Sequence, residues 1–328
     1  MTKMIIAAVA AAVVSGVFGY FLIPVLRALK AGQAINVEGP TWHNVKTGTP
    51  MMGGLMFVVA AVVIMIINAF FMDDYTALYV LALGLCFGLV GFVDDYTKLV
   101  KKHNEGLDPL PKAMLQMAVS ALFLYLLYSN GAMSTALYIP FVNISVELHP
   151  MVYIFFAMFV VVGCVNAVNL TDGVDGLCGL VTIPVMVFFA AAAFALNKLD
   201  LALLPAAMVG ALCAYLVYNW HPAKVFMGDT GSLFLGGIVC GMAFALDMPL
   251  ILILVGCVYI WETMSVIIQM TYFKLTHGKR LFKMTPIHHS FELSGWKEEK
   301  ICIVFAGIAA VGCLIAWFGI SGMVSPIG

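Results

Sequence analysis

Charged side chains are scarce in this chain: Asp, Glu, Lys and Arg make up 10% of its 328 residues, against a hydrophobic share of 63%. A soluble domain carries roughly 25% charged residues, so a water-solvated globule is excluded. Cysteine is present but unpatterned. None of the eight stands in a C-x-x-C pair, which argues against a zinc site and a disulfide framework and leaves small apolar packing residues. Internal repeats, low-complexity tracts and polar linkers are also missing, so residues 1–328 are expected to form a single domain. The weak alternation of a membrane β-barrel is absent, because the apolar runs are continuous.

Long apolar runs are what the chain has. A membrane-crossing helix takes about 20 apolar residues, each rising about 1.5 Å against a hydrocarbon layer of roughly 30 Å. Ten segments qualify, at about 4–26, 51–71, 76–93, 113–128, 151–168, 178–196, 201–218, 232–246, 250–272 and 301–321, the eighth being short. The expected fold class is an all-α integral membrane protein with about ten transmembrane helices. The first run is too long for a cleaved signal peptide and is followed by Arg27 and Lys30, so it is expected to stay in the mature chain.

Basic residues orient such a bundle. Loops 27–50, 94–112, 169–177, 219–231 and 273–300 hold 14 of the 16 Lys and Arg, while Lys3 and Lys198 fall on the other face. The five basic loops are therefore expected in the cytoplasm and both termini outside. The outer connections are short except for 129–150, whose alternating apolar residues between Gly131 and Pro150 predict a small hairpin.

The same five loops carry the polar chemistry. In DDYTK (94–98), Lys98 lies four residues after Asp94 and three after Asp95, within reach of either if the helix continues; a hydrated ion pair is the plain alternative. NLTDGVDGL (169–177) spaces Asn169, Asp172 and Asp175 on one face if the turn is helical, with Gly173 and Gly176 allowing close approach. On its own it is as readily a turn. In FMGDTGS, Asp229 sits between two glycines at the start of the eighth span, where Thr230 or Ser232 is placed to cap it.

Asp94, Asp95, Asp172, Asp175 and Asp229 thus fall on one side of the membrane. Five gathered carboxylates would repel and hold protons unless a cation neutralised them. Oxygen ligands without Cys suit Mg²⁺, which shares its shell with phosphate oxygens, so the implied substrate carries a diphosphate. The last loop, GKRLFKMTPIHHSFELSGW, adds Lys279, Arg280 and Lys283, which can bind anionic lipid, and then His288 and His289. No H-E-x-x-H spacing supports zinc, and the pair is better used as donors to a phosphate or sugar. Phe226, among Asn219, His221 and Lys224, is an aromatic ring in polar company. It either stacks on a nucleobase or anchors at the membrane interface.

With these motifs in order, the chain resembles the polyprenyl-phosphate N-acetylhexosamine-1-phosphate transferases. The match runs from HNVKTGTPMMGG (43–54) through GFVDDYTK, PKAMLQ, NAVNLTDGVDGL and AKVFMGDTGSL to PIHHSFE, nearly the whole chain. The forms PIHHSFE and GTPMMGG favour the branch that uses UDP-MurNAc-pentapeptide over the one that uses UDP-GlcNAc. The resemblance implies a Mg²⁺-dependent, homodimeric enzyme of the bacterial inner membrane, with its site facing the cytoplasm and no nucleic-acid partner. It would join undecaprenyl phosphate to UDP-MurNAc-pentapeptide, giving lipid I and UMP.

The resemblance also implies roles. Asp94 and Asp95 become the catalytic carboxylate pair, Asp94 the base that readies the lipid phosphate, with His288 and His289 counted among the catalytic groups. Asp229 becomes the Mg²⁺ ligand. Lys98, Asn219 and Phe226 match uridine-pocket positions lined by Gly173 and Val174, Phe226 as the stacking ring. Lys46, Lys112, Asn169, Asp172, Asp175, Ser232 and Gln269 match substrate-binding positions around the nucleotide, diphosphate and sugar. Two departures stand out: Ser290 where many members have a third His, and Met51 where many have Thr. A cation-coupled transporter would instead place its acids near the bilayer midplane and in internal repeats.

Overall fold

The structure, a computed structural model, describes residues 1–29, 48–101 and 106–324. In chain order it forms α1 (Thr2–Ala28), α2 (Leu55–Ala69), α3 (Thr76–Lys101), α4 (Pro109–Ser129), β1 (Ala136–Ile139), β2 (Ile144–Glu147), α5 (Pro150–Thr171) and α6 (Leu177–Ala195). There follow α7 (Leu199–Asn219), α8 (Gly228–Ala245), a short 3₁₀ turn, α9 (Leu252–Val255), α10 (Cys257–Leu275), α11 (Ile287–Glu292) and α12 (Glu298–Gly319).

Each of the ten apolar segments expected from the sequence is helical. Among the described residues, eight helices are long and apolar enough to cross a membrane singly. The second segment is shorter: α2 has 15 residues, about 22 Å of helix. The ninth is broken, its two halves meeting at 82° between Val255 and Cys257. All eight cysteines are free thiols.

Helix boundaries follow local chemistry. Pro109 and Pro150 open α4 and α5 from the first turn, where a missing N–H costs nothing. α5 stops at Thr171, ahead of Asp172 and Gly173, and Gly176 starts α6 from a left-handed φ of 81°. The core is built around α8, in which every residue except Asp229 is buried. α3 and α5 pack along it, and α7 packs between α1 and α6. Without water to drive helices together, close approach of small residues does the work: α8 meets α5 at Gly236, α3 at Gly237 and Gly241, and the start of α2 at Gly231. Outward faces present apolar side chains such as Val9, Tyr125, Phe159 and Phe318.

The bundle has two unlike ends. The expected hairpin forms as an antiparallel pair with Ala136 opposite Glu147 and Ile139 opposite Ile144. It is tied to the last turns of two helices: Phe141 N–H donates to Gly319 O (3.0 Å) in α12, and Ser134 N–H to Asp247 Oδ1 (2.8 Å) just after α8. The opposite end, one α8 length away, gathers the last turns of α3 and α5 and the first turns of α4 and α8.

Candidate active site

α3 runs past the seam of the apolar segment to Lys101, and this extension builds the site. Asp94 and Lys98 stand one turn apart, with Nζ 2.7 Å from Asp94 Oδ2. Asp95, rotated about 100° around the same helix, faces α8 instead. Its Oδ1 accepts the Asp229 N–H (3.1 Å), and its Oδ2 accepts the Thr230 N–H (2.9 Å) and hydroxyl (2.7 Å). The first N–H groups of a helix lack partners within it and favour negative charge, so α3 caps α8. This replaces the expected cap from Thr230 or Ser232. The Thr230 hydroxyl donates to Asp95, and Ser232 Oγ donates to Gly228 O (3.1 Å).

Two glycines make the junction possible. A Cβ on Gly91 would strike the Asp229 carbonyl. Gly228 has a φ of 74°, and a Cβ there would lie 2.6 Å from Asp95 Oδ2.

Around the capped end, four helices converge. Lys112, in the first turn of α4, lies 2.8 Å from Asp229 Oδ2 and 3.4 Å from Asp94 Oδ1. Lys98 Nζ also reaches Asp229 Oδ2, at 3.2 Å. Asn169, in the last turn of α5, donates Nδ2 to Asp229 Oδ1 (3.0 Å) and to Ser232 Oγ (2.7 Å). Leu107 N–H donates to Asp94 Oδ1 at 2.9 Å. Lys98, Lys112 and Asp229 keep 23%, 19% and 18% of their side chains exposed, against 3% for Asp94. A ligand therefore meets the lysines and Asp229 first.

Asp94, Asp95 and Asp229 each present a carboxylate oxygen within 4.8 Å of the others. Both Asp95 oxygens are tied to the first turn of α8, whereas the Asp229 carboxylate faces side-chain ammonium and amide groups and is part exposed, which makes Asp229, with Asp94 beside it, the available pair of hard anionic donors. One or two carboxylates completed by substrate phosphates is what Mg²⁺ takes, so the donor set fits that ion.

The five expected aspartates do not form one cluster. Because α5 ends at Thr171, residues 172–176 turn without a helical face. Asp175 is drawn away: its Oδ2 lies 3.0 Å from His221 Nδ1 and accepts the Ala223 N–H at 3.0 Å, while its own N–H donates to Glu298 Oε2 (3.1 Å). Asp175, His221 and Glu298 make a second group. Asp172 lies at the α5 end, and its carboxyl is pushed up to about 8, chiefly by shielding from water and then by the charges of Asp229, Asp95 and Asp175.

Several expected binding residues hold loops together. Asn219 Oδ1 accepts the Gly176 N–H (3.0 Å) and its Nδ2 donates to Val225 O (2.9 Å), joining the loops before α6 and α8. Gln269 Oε1 accepts the N–H groups of Leu281 (3.0 Å) and Phe282 (2.9 Å). Phe226 is half-buried, and its backbone pairs with the 50–53 segment through Pro50 O (2.8 Å) and Gly53 N–H (2.7 Å). Met51 is buried in that segment, as is Val174 in its own loop. Lys46 lies outside the described residues.

The histidines are each held by a carboxylate. His288 Nδ1 is 3.1 Å from Glu262 Oε2, and His289 Nδ1 is 2.6 Å from Glu292 Oε2. The Ser290 hydroxyl, at the place of a third His, donates to Met284 O (2.6 Å) and accepts from its N–H (3.1 Å). Sequence reasoning passed over Glu262, Glu292 and Glu298. Glu262 carried a usable signal as the lone acid in the ninth apolar segment; Glu298, in WKEEK, looks like any solvated helix start.

Residues 77–247 match the glycosyl transferase family 4 profile. The phospho-N-acetylmuramoyl-pentapeptide-transferase of Clostridium novyi (strain NT) is 44% identical over 98% of both chains. That of Clostridium perfringens (strain 13 / Type A) is 46% identical over 96% of this chain and 98% of its own. The Staphylococcus carnosus (strain TM300) enzyme of the same name is 44% identical over 91% of this chain and 94% of its own. On this identity over almost its full length, the chain belongs to glycosyl transferase family 4 and, within it, to the phospho-N-acetylmuramoyl-pentapeptide-transferases.

Proposed function

We propose that the protein transfers the phospho-MurNAc-pentapeptide group of UDP-MurNAc-pentapeptide to undecaprenyl phosphate, forming lipid I and releasing UMP. The observation that carries this reading is the meeting of Lys98 and Lys112 with Asp94 and Asp229 at the capped start of α8. One reactant arrives through lipid and the other through water, and this group sits where the apolar length of α3 ends.

The chemistry requires an anionic lipid phosphate to approach an anionic diphosphate. Lys98 and Lys112 lower that repulsion and, as fixed donors, align the two in line. Asp229, with Asp94 beside it, would hold Mg²⁺, which when bound neutralises the diphosphate oxygens and stabilises charge on the departing UMP. Asn169 fixes the Asp229 carboxylate by holding Oδ1. Asp95 acts through α8, whose first turn it locks in place. Both Asp94 oxygens face ammonium groups, so action as a base on the lipid phosphate requires Asp94 to exchange one of them first. The turn at 172–176 and the loop with Phe226 form the nucleoside side, with Phe226 stacking on uracil and His288 and His289 toward the sugar and phosphates. The enzyme works in the bacterial inner membrane as a homodimer with this end toward the cytoplasm, a reading supported by the family and by the basic loops.

The experiment is UMP release by purified protein in detergent with undecaprenyl phosphate and either of two donors. Release from UDP-MurNAc-pentapeptide is expected; release from UDP-GlcNAc alone would keep the chemistry and overturn the donor.

A further inference from the structure

α10 carries one acidic residue, Glu262, in an otherwise uncharged stretch, IWETMSVII. Its side chain and that of His288 are both fully buried, with Glu262 Oε2 3.1 Å from His288 Nδ1. An ionisable group at such a position is costly unless it has a partner and a task. The partner is plain, since a carboxylate accepts from Nδ1–H. The task is indicated by two leftover atoms: Glu262 Oε1 and His288 Nε2 are buried without a hydrogen-bond partner. Buried polar atoms are rarely left so, because an unmet donor or acceptor shielded from water costs stability.

The direction of the ring is fixed by its neighbours. His288 Nε2 abuts Gly173, where any Cβ would collide with it, so it faces the turn that joins Asp172 to Asp175. His289 packs edge-on against the same ring at 4.2 Å and is held separately by Glu292. On the same helix, Gln269, seven residues on and thus two turns along the same face, anchors the loop that leads to His288. α10 therefore grips both the loop and the ring at its end.

We infer that Glu262 is a positioning residue of the transfer reaction: it takes the Nδ1 proton of His288 in a hydrogen bond and so turns Nε2 toward the Gly173 side of the site. A carboxylate behind a histidine fixes both tautomer and orientation. This role in catalysis rests on the function proposed above, whereas the tautomer itself does not.

The test uses the full chain in detergent with Glu262→Met, Glu262→Gln, His288→Ala and the double variant Glu262→Met/His288→Ala. Met fills the volume without a charge, and Gln can still accept from Nδ1–H. Glu262→Met should lower kcat/KM by about tenfold to a hundredfold, the range for removing a group that orients a histidine. Glu262→Gln should restore most of it, and Glu262→Met should cost nothing more in the His288→Ala background. In ¹⁵N-histidine-labelled protein, the His288 signal should be that of an Nδ1-protonated ring in wild type and Glu262→Gln, and should lose that pattern in Glu262→Met. Wild-type kcat/KM in Glu262→Met, an equal further loss in the His288→Ala background, or an Nδ1-unprotonated ring in wild type would overturn the inference. The nitrogen signal is read without substrate, so a failure of the proposed donor and a failure of this role give different results.

Discussion

Asp94 and Asp95 are neighbours in sequence with opposite assignments. Asp94 faces two ammonium groups in the open site, and Asp95 faces three donors at the start of α8. Asp95→Ala leaves those donors buried and unmet, at about 1–3 kcal/mol each. Its thermal unfolding midpoint in detergent should therefore fall well below wild type, with Asp95→Asn between them because one acceptor oxygen remains; an unchanged midpoint for Asp95→Ala would contradict the capping role. Asp172 gives a pH prediction. Its carboxyl titrates near 3.8 when unfolded and at about 8 in the fold, so between these values the folded state binds more protons. The stability this group contributes is complete below about 4 and lost as pH rises through about 8. From pH 5 to 8, wild type should lose stability more steeply than Asp172→Asn in thermal unfolding; parallel curves would contradict it. The Asp94–Lys98 pair was legible from its spacing of four. The Asp95 cap was not, because its partner lies 134 residues away.

At the scale of elements, apolar length revealed where helices form but not how they end. α3 runs on past residue 93 to Lys101 because nothing in DDYTKLV breaks a helix, and this extension of about two turns places Lys98. The ninth segment reads as one apolar run of ordinary length, yet it bends by 82° at Gly256. Hydropathy is blind to such a bend, since it reports how apolar a run is and not which way the chain turns. The bend matters because α10 then carries Glu262 and Gln269 toward the histidine loop. Gln269→Leu removes the acceptor for Leu281 and Phe282 and should raise hydrogen exchange across 277–286 while leaving the α3–α8 junction protected. Unchanged exchange in that loop would show that Gln269 does not hold it.

For the whole molecule, composition and continuous apolar runs were enough to give an all-helical membrane bundle. The hairpin also followed from alternation alone. Convergence of Asp94, Lys98, Lys112, Asn169 and Asp229 was not readable from any one motif, since it depends on which helix ends meet. Asp94, Lys98, Asn169 and Asp229 stood out in their own loops and the resemblance added Lys112; α8 packing supplies the physical reason they assemble. The two ends of the bundle predict an orientation. A cysteine at Asn143 in the hairpin should react with a membrane-impermeant maleimide in intact cells, and one at Lys279 only after permeabilisation; the reverse pattern would invert the bundle.

The most direct test of the account is UMP release from UDP-MurNAc-pentapeptide and undecaprenyl phosphate by wild type and Asp229→Ala, with Mg²⁺ and with chelator. The account predicts release and a lipid-linked product only for wild type with Mg²⁺, with Asp229→Ala down by about a hundredfold or more, the size of losing a main charge-stabilising group. Asp229→Ala working at the wild-type rate, or wild type indifferent to chelator, would contradict it.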